Sequence, residues 1–288
     1  MTAILKGSNN IFLGYGTGYS NTTGSNNVAL GIQAAYTNPG GNNNVMVGDS
    51  AGYYNTASGN LFLGSKAGSS NTTADGNLAI GYQAGRSNQT GIQNTFLGYQ
   101  AGYATTSTAN TFMGYRAGAS NTSGQFNSFI DVQAGQANTT GSANYFFGTN
   151  SGANNITGTG NYFLGDNAGR GNTSGGFNIY IGANAGNGNG VNGDNNLAIG
   201  FEAGKTNQSG VNNTFIGFRP DAGAGSLSNA TAIGNNAKVS ISNALVLGSG
   251  ANVGIGNSAR MGVELWEARD GTVQNTNTGG VVIGSGIS

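Results

Sequence analysis

The sequence predicts an all-β chain that folds as a parallel β-solenoid (β-roll) of about 14 coils, each of roughly 17 residues. Three observations lead to this prediction. A short motif recurs almost end to end, its apolar stretches are too short for helices, and 55 of the 288 residues are glycine. The glycines do not recur every third residue and only two prolines are present, so a collagen triple helix is excluded.

Each repeat starts at an asparagine followed by a short alternating stretch that ends in glycine, as in NIFLG at residues 10–14 and NLFLG at residues 60–64. Aromatic and aliphatic residues flanked by Gly, Asn, Thr and Ser favour a short strand. The starting residues lie 16 to 18 positions apart: Asn10, Asn27, Asn44, Asn60, Asn77, Asn94, Asn110, Asn127, Asn144, Asn161, Asn178, Asn196 and Asn213.

The rest of each unit contains an Ala-Gly pair and a polar turn, as in YQAG at residues 82–85 and SNTTG at residues 20–24. The small residues favour a second short strand where another backbone approaches closely. Coils stacked at about 4.8 Å would form a rod roughly 65 Å long. Asparagine side-chain ladders at the first position would help to hold neighbouring coils together.

Two apolar ladders run along the repeats on opposite faces of the first strand. The residue before the repeat glycine is predicted to line the roll core: Leu13, Leu30, Val47, Leu63, Ile80, Leu97, Met113, Ile130, Phe147, Leu164, Ile181, Ile199 and Ile216. The residue before that is mostly aromatic and is predicted to form a trimer interface: Phe12, Phe62, Phe96, Phe112, Phe129, Phe146, Phe163, Tyr180 and Phe215. A thin roll encloses only one ladder, so the other is expected to pack against copies of the chain, and cyclic closure favours a homotrimer.

The motif Asn-x-Phe/Ala-Leu/Ile-Gly-Tyr-Gln-Ala-Gly resembles the head repeats of trimeric autotransporter adhesins, and similar repeats occur in phage fibres. The resemblance is clearest in NATAIG at residues 229–234, followed 14 residues on by NALVLG at residues 243–248, and it covers about residues 8–256. It implies three left-handed parallel β-rolls around a threefold axis with an adhesive outer surface. Most units here have about 17 residues rather than 14, which enlarges the turns and leaves the handedness open.

Three regions are predicted. Residues 1–9 form an N-terminal extension, and residues 10–256 form the solenoid, with 17-residue units to about residue 228 and 14-residue-type units after it. Residues 257–288 form a C-terminal β cap or tip, where the repeat fails and the only Trp and several charges cluster. The cap would close the stack, as repeat proteins require. Alternatively, it is a receptor-binding or docking tip, with Trp266, Glu264, Glu267 and Arg269 as contacts.

Composition narrows the chemistry. Without His or Cys, thiolate nucleophiles, histidine acid–base catalysis, the usual zinc sites and disulfides are excluded. Ten basic and ten acidic residues give no basic patch for nucleic acid. No signal peptide and no membrane-spanning run is evident. Glycine-rich stretches such as residues 14–18 lack the lysine and helix of a phosphate loop. No catalytic or cofactor-binding residue is predicted. No metal-binding residue is predicted either, since calcium repeats would need an aspartate in every unit and aspartates occur irregularly here.

Several alternatives for individual features stay open. Sequons such as those at Asn21, Asn71 and Asn121 indicate turn chemistry, with glycosylation as the alternative. Cleavage of a polysaccharide would need paired carboxylates. Glu202 stands alone in its repeat, and Glu264, Glu267 and Asp270 occur together only in the terminal segment. An ice-binding face of stacked threonines would need a more regular spacing.

These observations predict a structural and adhesive trimeric fibre protein of a phage or related virion-like particle. It would attach to a host cell-surface glycan or protein by multivalent binding, with either terminus free to contact other particle proteins. We expect no enzymatic activity and no membrane insertion. The chain would be made in the cytoplasm without a signal peptide and reside in a virion or extracellular particle. The main alternative is the head region of a bacterial trimeric autotransporter adhesin at the cell surface; a non-adhesive spacer or decoration protein and a polysaccharide-cleaving tailspike are further alternatives.

Overall fold

The computed structural model describes residues 7–188 and 192–249. Over these residues the chain is all-β and stacks into a parallel β-solenoid of about 14 coils, which confirms the predicted fold class. The strands are β1 (Ile11–Leu13), β2 (Val28–Leu30), β3 (Val45–Val47), β4 (Leu61–Leu63), β5 (Leu78–Ile80), β6 (Thr95–Leu97), β7 (Thr111–Met113), β8 (Ser128–Ile130), β9 (Tyr145–Phe147), β10 (Tyr162–Leu164), β11 (Ile179–Ile181), β12 (Leu197–Ile199), β13 (Thr214–Ile216), β14 (Asp221–Ala222), β15 (Thr231–Ile233), β16 (Lys238–Val239) and β17 (Leu245–Leu247).

Fifteen of these strands form one sheet in chain order, and β14 pairs with β16 in a second, two-stranded sheet. We number the coils 1 to 13 by their starting asparagines, from Asn10 to Asn213. Each strand pairs in parallel with the equivalent residues of the next coil, so that Phe112 lies opposite Phe129, and Phe129 opposite Phe146. The register holds even in the 14-residue unit, where Thr231 pairs with Leu245.

Differences in coil length are absorbed in the polar turn. In coil 2, the Asn38 side-chain amide donates to the carbonyl of Gly41, three residues on. Coil 3 is one residue shorter, and there Asn55 donates to the carbonyl of Ala57, only two residues on. A deletion at this point therefore leaves the strands of neighbouring coils aligned.

The Ala-Gly segment is a turn in coils 1 to 12, so the predicted second strand is wrong there. The residue before the alanine and the glycine itself both have left-handed backbone angles, for example Gln83 with φ 55° and Gly85 with φ 56°. Left-handed residues interrupt a regular strand. The segment still bonds to the next coil, since the Gly85 amide donates to the Ala101 carbonyl at 2.9 Å. Within residues 7–188 and 192–249, only β14 and β16 form strands at this place.

The core of the roll is the middle residue of each strand, and this corrects the predicted assignment of the two ladders. The residues predicted as a trimer interface lie inside the single chain: Phe62, Phe96, Phe112, Phe129, Phe146, Phe163, Tyr180 and Phe215 are at most 2% exposed, and Phe12, in coil 1, packs against the same cluster. Successive rings stack, with centroids 4.8 Å apart for Phe112 and Phe129 and 4.7 Å for Phe129 and Phe146. A side chain that its own chain buries in this way cannot contact a second copy.

The ladder predicted as roll core lies on the outside instead. None of its members is buried: Leu13, Leu30, Val47, Leu63, Ile80, Leu97, Met113, Ile130, Phe147, Leu164, Ile181, Ile199 and Ile216 are half-buried or exposed. The aromatic ladder faces inward because the Ala-Gly turn opposite the strand leaves space inside the roll. A Cβ added to Gly135 would lie 2.5 Å from the Phe129 ring, so the Ala-Gly turn leaves room inside the roll for an aromatic ring.

Two ladders of buried asparagine complete the interior. In the first, predicted at the starting positions, each backbone amide donates to the side-chain oxygen of the preceding coil's asparagine, as Asn144 does to Asn127 at 3.0 Å. The side-chain amide of Asn127 then donates to the Gly141 carbonyl at 2.8 Å. In the second, the turn asparagines of coils 7 to 10 bond to one another, with Asn138 donating to Asn121 and Asn155 to Asn138, each at 2.8 Å, whereas the side-chain oxygens of Asn21 and Asn71 have no partner. Thus polar side chains, together with one strand-centre residue, fill most coils.

Other predictions concern residues outside the described range. Residues 1–6 of the N-terminal extension lie there, and so does the whole cap or tip at 257–288, with Trp266, Glu264, Glu267 and Arg269. Residues 7–188 and 192–249 contain no apolar helix of membrane-spanning length.

Candidate functional site

The outward side of the fifteen-stranded sheet is an apolar surface two residues wide, which we call the outer sheet face. It consists of the first and third residues of the strands, because in a strand these two point to the same side. The third residue is apolar throughout, and several are well exposed, such as Leu13 at 70% and Leu63 at 41%. The first residue is aliphatic or aromatic in most coils but Thr or Ser in β6, β7, β8, β13 and β15.

A column of aromatic residues widens this face beside the repeat glycine. Tyr82, Tyr99 and Tyr115 stack with centroids 5.3 Å apart, and all three are more than 40% exposed. Phe201 and Phe218 stack in the same way at 5.5 Å. Asp49, Ser65, Thr149 and Asp166 divide this third column into separate stacks, so only the two strand columns, about 7 Å apart, run over the stack of roughly 65 Å, and they cover roughly 450 Å². An exposed apolar patch of that size marks an interaction surface.

A polar cleft lies on another side of the solenoid and spans coils 7 to 10. Its volume is about 340 Å³, and it is lined by Ser120, Gln133, Gln136, Ala137, Asn150, Ala153, Asn154 and Arg170. Two alanines leave room for it, and the position of Ala153 carries tyrosine in four other coils. Ala153 occupies the position of Tyr19, Tyr36 and Tyr53, and Ala137 that of Tyr54. The cleft was not predicted from the sequence, where its one signal is the small Ala153 at a position that carries tyrosine in other coils.

Ion pairs in the part of the chain that the structure describes centre on Glu202. Its carboxylate lies 3.5 Å from the Lys205 amine and 3.1 Å from the Arg219 guanidinium. Arg219 also stacks over the rings of Phe201 and Phe218. Glu202, considered for glycan cleavage, is thus engaged with two cations. No cluster of acidic side chains suited to a metal ion occurs within residues 7–188 and 192–249.

The sequons belong to the second asparagine ladder rather than to the surface. Asn21, Asn71, Asn121, Asn138 and Asn172 are fully buried, which leaves their side-chain amides no room for a glycan. The predicted turn chemistry is confirmed, for example by the Asn121 amide, which donates to the Gly124 carbonyl at 2.9 Å.

The threonines that follow these asparagines support the stack as well. Thr122 donates its hydroxyl hydrogen to the Thr139 carbonyl at 3.0 Å, and Thr139 donates to the Ile156 carbonyl at 3.1 Å. These exposed hydroxyls therefore link neighbouring coils.

No known family model matches this chain, and no curated protein matches it.

Proposed function

We propose that this protein is a structural and adhesive fibre of a phage or related virion-like particle, which assembles as a homotrimer and attaches to a host surface. The observation that carries the proposal is the outer sheet face, an apolar strip along the full length of the fifteen-stranded sheet. The resemblance of the repeats to adhesin heads and phage fibres supports it.

The outer sheet face is the surface that would meet other copies of the chain. A cyclic trimer buries the same strip on every chain, and it leaves none of these strips open to further association. The columns follow the stacking axis, so three parallel solenoids can pair coil against coil. The third strand residues and the tyrosine column would then form the core between chains. This arrangement replaces the aromatic ladder predicted from the sequence, which is already buried.

Attachment would be multivalent. The turns on the other sides of the solenoid recur with each coil, and three chains would triple each of them. Many weak contacts then act together, and overall binding can exceed the single affinity by about 10²- to 10⁴-fold where receptor spacing matches.

The native mass in solution tests the assembly. Light scattering should give about 86 kDa, three times the 28.7 kDa of one chain. Leu97→Asp combined with Leu164→Asp places charge on the outer sheet face and should release folded monomers. Thr140→Asp, in an exposed turn, is the matched control and should remain trimeric. A wild-type protein that is folded, as its β-type circular dichroism spectrum would show, and that has a mass of 28.7 kDa would refute the trimer.

Binding of labelled wild-type protein to intact host cells tests adhesion. Trimeric protein should saturate the cell surface, whereas the monomeric double variant should bind much more weakly because it loses avidity. A trimer that binds no cells would favour a non-adhesive spacer. Immunogold labelling then separates the particle fibre from its main alternative, the head of a bacterial trimeric autotransporter adhesin, which would label cells rather than particles.

A further inference from the structure

We propose that the polar cleft of coils 7 to 10 binds a carboxylate-bearing sugar residue of an acidic glycan. The proposal rests on the adhesive function above, because it names the ligand class that one lateral surface of the fibre would recognise. It concerns a surface distinct from the outer sheet face.

The polar side chains of the cleft are free to bind a ligand. Within the residues that the structure describes, the side chains of Ser120, Gln133, Gln136, Asn150 and Asn154 form no hydrogen bond to the protein, and neither does Arg170. By contrast, the interior asparagines bond from coil to coil. Six polar groups therefore converge on one concavity without partners of their own.

The shape of the cleft is built by the coils themselves. Buried Ala153 and half-buried Ala137 form its floor, and they are flanked by the longer side chains of Gln136 and Arg170. Its volume of about 340 Å³ lies within the range of small-molecule sites. Backbone bonds between coils hold this floor, since the Ala137 amide donates to the Ala153 carbonyl at 3.0 Å.

The charge of the cleft selects an anion. Arg170 is the only charged residue that lines it, and no ion pair involving Arg170 occurs among the described residues. The acidic residues on the same coils, Asp131 and Asp166, lie outside the lining. Each accepts a backbone amide hydrogen, from Val132 at 2.7 Å and Thr149 at 3.0 Å respectively. A guanidinium binds a planar carboxylate through two parallel hydrogen bonds.

The remaining groups suit the hydroxyls of a sugar ring. Primary amides and a serine hydroxyl both donate and accept hydrogen bonds, as a polyhydroxylated ligand requires. The lining offers no aromatic side chain and little apolar surface, which disfavours a lipid or an apolar peptide side chain. A uronic acid combines both features, with one carboxylate and several hydroxyls on a single ring.

Saturation-transfer NMR on the full-length wild-type protein tests this assignment with matched sugars. Galacturonic acid and glucuronic acid should give transfer signals and saturable binding, whereas galactose and glucose, which lack the carboxylate, should bind at least about tenfold more weakly. Equal binding of acid and neutral sugars would overturn the proposal. Inorganic phosphate that competes more strongly than galacturonic acid would also overturn it, since the site would then select phosphate.

Three variants locate the site. Arg170→Gln removes the charge from an exposed position and should weaken galacturonic acid binding at least about tenfold. Ala153→Tyr fills the cleft with the residue that coils 1 to 3 already carry at that position, and should abolish binding in a folded protein. Arg86→Gln is the matched control, because Arg86 occupies the same coil position as Arg170 but lies over the Tyr103 ring outside the cleft, and should bind like wild type. If Arg170→Gln retains wild-type affinity, the proposal is refuted.

The two proposals fail separately. Sugar binding by isolated protein does not depend on host attachment or on trimer mass. A trimer that attaches to cells but binds no uronic acid refutes only the ligand assignment. A protein that binds uronic acid through Arg170 but neither trimerises nor attaches to cells refutes only the fibre proposal.

Discussion

Asparagine is the residue on which this solenoid depends most. Most coils of about 17 residues bury no more than one large apolar side chain, and amides fill much of the remaining interior. Buried amides are tolerated when neighbours satisfy them, and in a stack of identical coils the neighbour is always the same residue one coil away. The repeat thus supplies hydrogen-bond partners for a polar interior.

In coil 6 a threonine takes the place of the asparagine in the second ladder, and this substitution offers a direct test. Thr105 stands at the ladder position of coil 6, and its buried hydroxyl oxygen has no hydrogen-bond partner. Coil 3 has the same short turn but carries Asn55 there, which accepts a hydrogen bond from Asn71. Thr105→Asn should therefore raise the free energy of unfolding by about 1 kcal/mol. Urea denaturation measures it, with Thr157→Asn as the control, because Thr157 is exposed and its hydroxyl makes no coil-linking bond among the described residues.

The opposite result would have a clear meaning. A lower denaturation midpoint for Thr105→Asn would show that coil 6 has no room for the amide. Space, rather than the missing hydrogen bond, would then determine the stability of the ladder at this coil.

Tyr180 should make stability sensitive to alkaline pH. It takes the place of phenylalanine in the core and stacks on Phe163 at 4.9 Å. Burial raises the pKa of Tyr180 far above its ordinary value of 10.0; Asp194 adds to this shift, and a hydrogen bond from Asn196 opposes it. The unfolded state therefore loses the proton first, so stability is full below about pH 10 and falls as the pH rises above it.

Tyr180→Phe removes this titration. Thermal melts from about pH 8 to pH 11 should show a shallower loss of stability in Tyr180→Phe than in wild type, because the remaining tyrosines are common to both. Tyr19→Phe, at an exposed position outside the outer sheet face, is the control and should follow the wild-type curve. Parallel curves for Tyr180→Phe and wild type would contradict the prediction.

At the level of the strands, the sequence predicts the coil period and the strand positions but not which ladder faces inward. Both ladders are apolar, and a strand with alternating faces fits either orientation. The first residue of each strand indicates which of the two ladders faces outward. Thr95, Thr111 and Ser128 share a face with the aliphatic ladder, and hydroxyls at these positions mark that face as the outer one. The turn conformation of the Ala-Gly segment was less accessible, because it depends on left-handed residues such as Gln83 that sequence propensity does not favour.

The strand centre and the Ala-Gly turn are coupled, which a double-mutant cycle can measure. A methyl group on Gly135 would clash with the Phe129 ring at 2.5 Å, and φ at Gly135 is 56°. Coil 2 has Ala35 at this turn position together with Ala29 at the strand centre. Gly135→Ala should therefore destabilise the wild type by several kcal/mol, but a Phe129→Ala background by only about 1 kcal/mol, the cost of the left-handed conformation.

Denaturant unfolding of the four proteins in this cycle gives the coupling energy. Equal costs of Gly135→Ala in both backgrounds would show that backbone strain, rather than the ring, excludes the methyl group.

At the level of the whole molecule, each coil contacts chiefly the coils before and after it, so coils should be removable as units. Deletion of residues 144–160 removes one complete 17-residue coil and brings Phe129 next to Phe163 with both asparagine ladders in register. This variant should fold with a thermal midpoint within a few degrees of wild type. Deletion of residues 144–151 removes half a coil, breaks the register and should prevent cooperative folding, as judged by circular dichroism.

The sequence predicted most of this large-scale organisation because a repeat transmits its register from coil to coil. The polar cleft was not predicted, because its one signal in the sequence is the small Ala153 at a position that carries tyrosine in other coils, and the effect of that alanine depends on the side chains of the adjacent coils. The roles of the C-terminal segment and of Trp266 stay predictions, since they lie outside the described residues.

The parallel pairing of every coil also has a mechanical consequence. The backbone hydrogen bonds between coils, such as that from the Gly85 amide to the Ala101 carbonyl, run along the stacking axis. A pull along that axis loads the interfaces between coils in series, so every interface carries the full force and the weakest one opens first. The second asparagine ladder is incomplete at Asn21, Asn71, Thr105 and Asn172, where a buried side-chain oxygen has no partner, and we expect a stretched solenoid to part at one of these places.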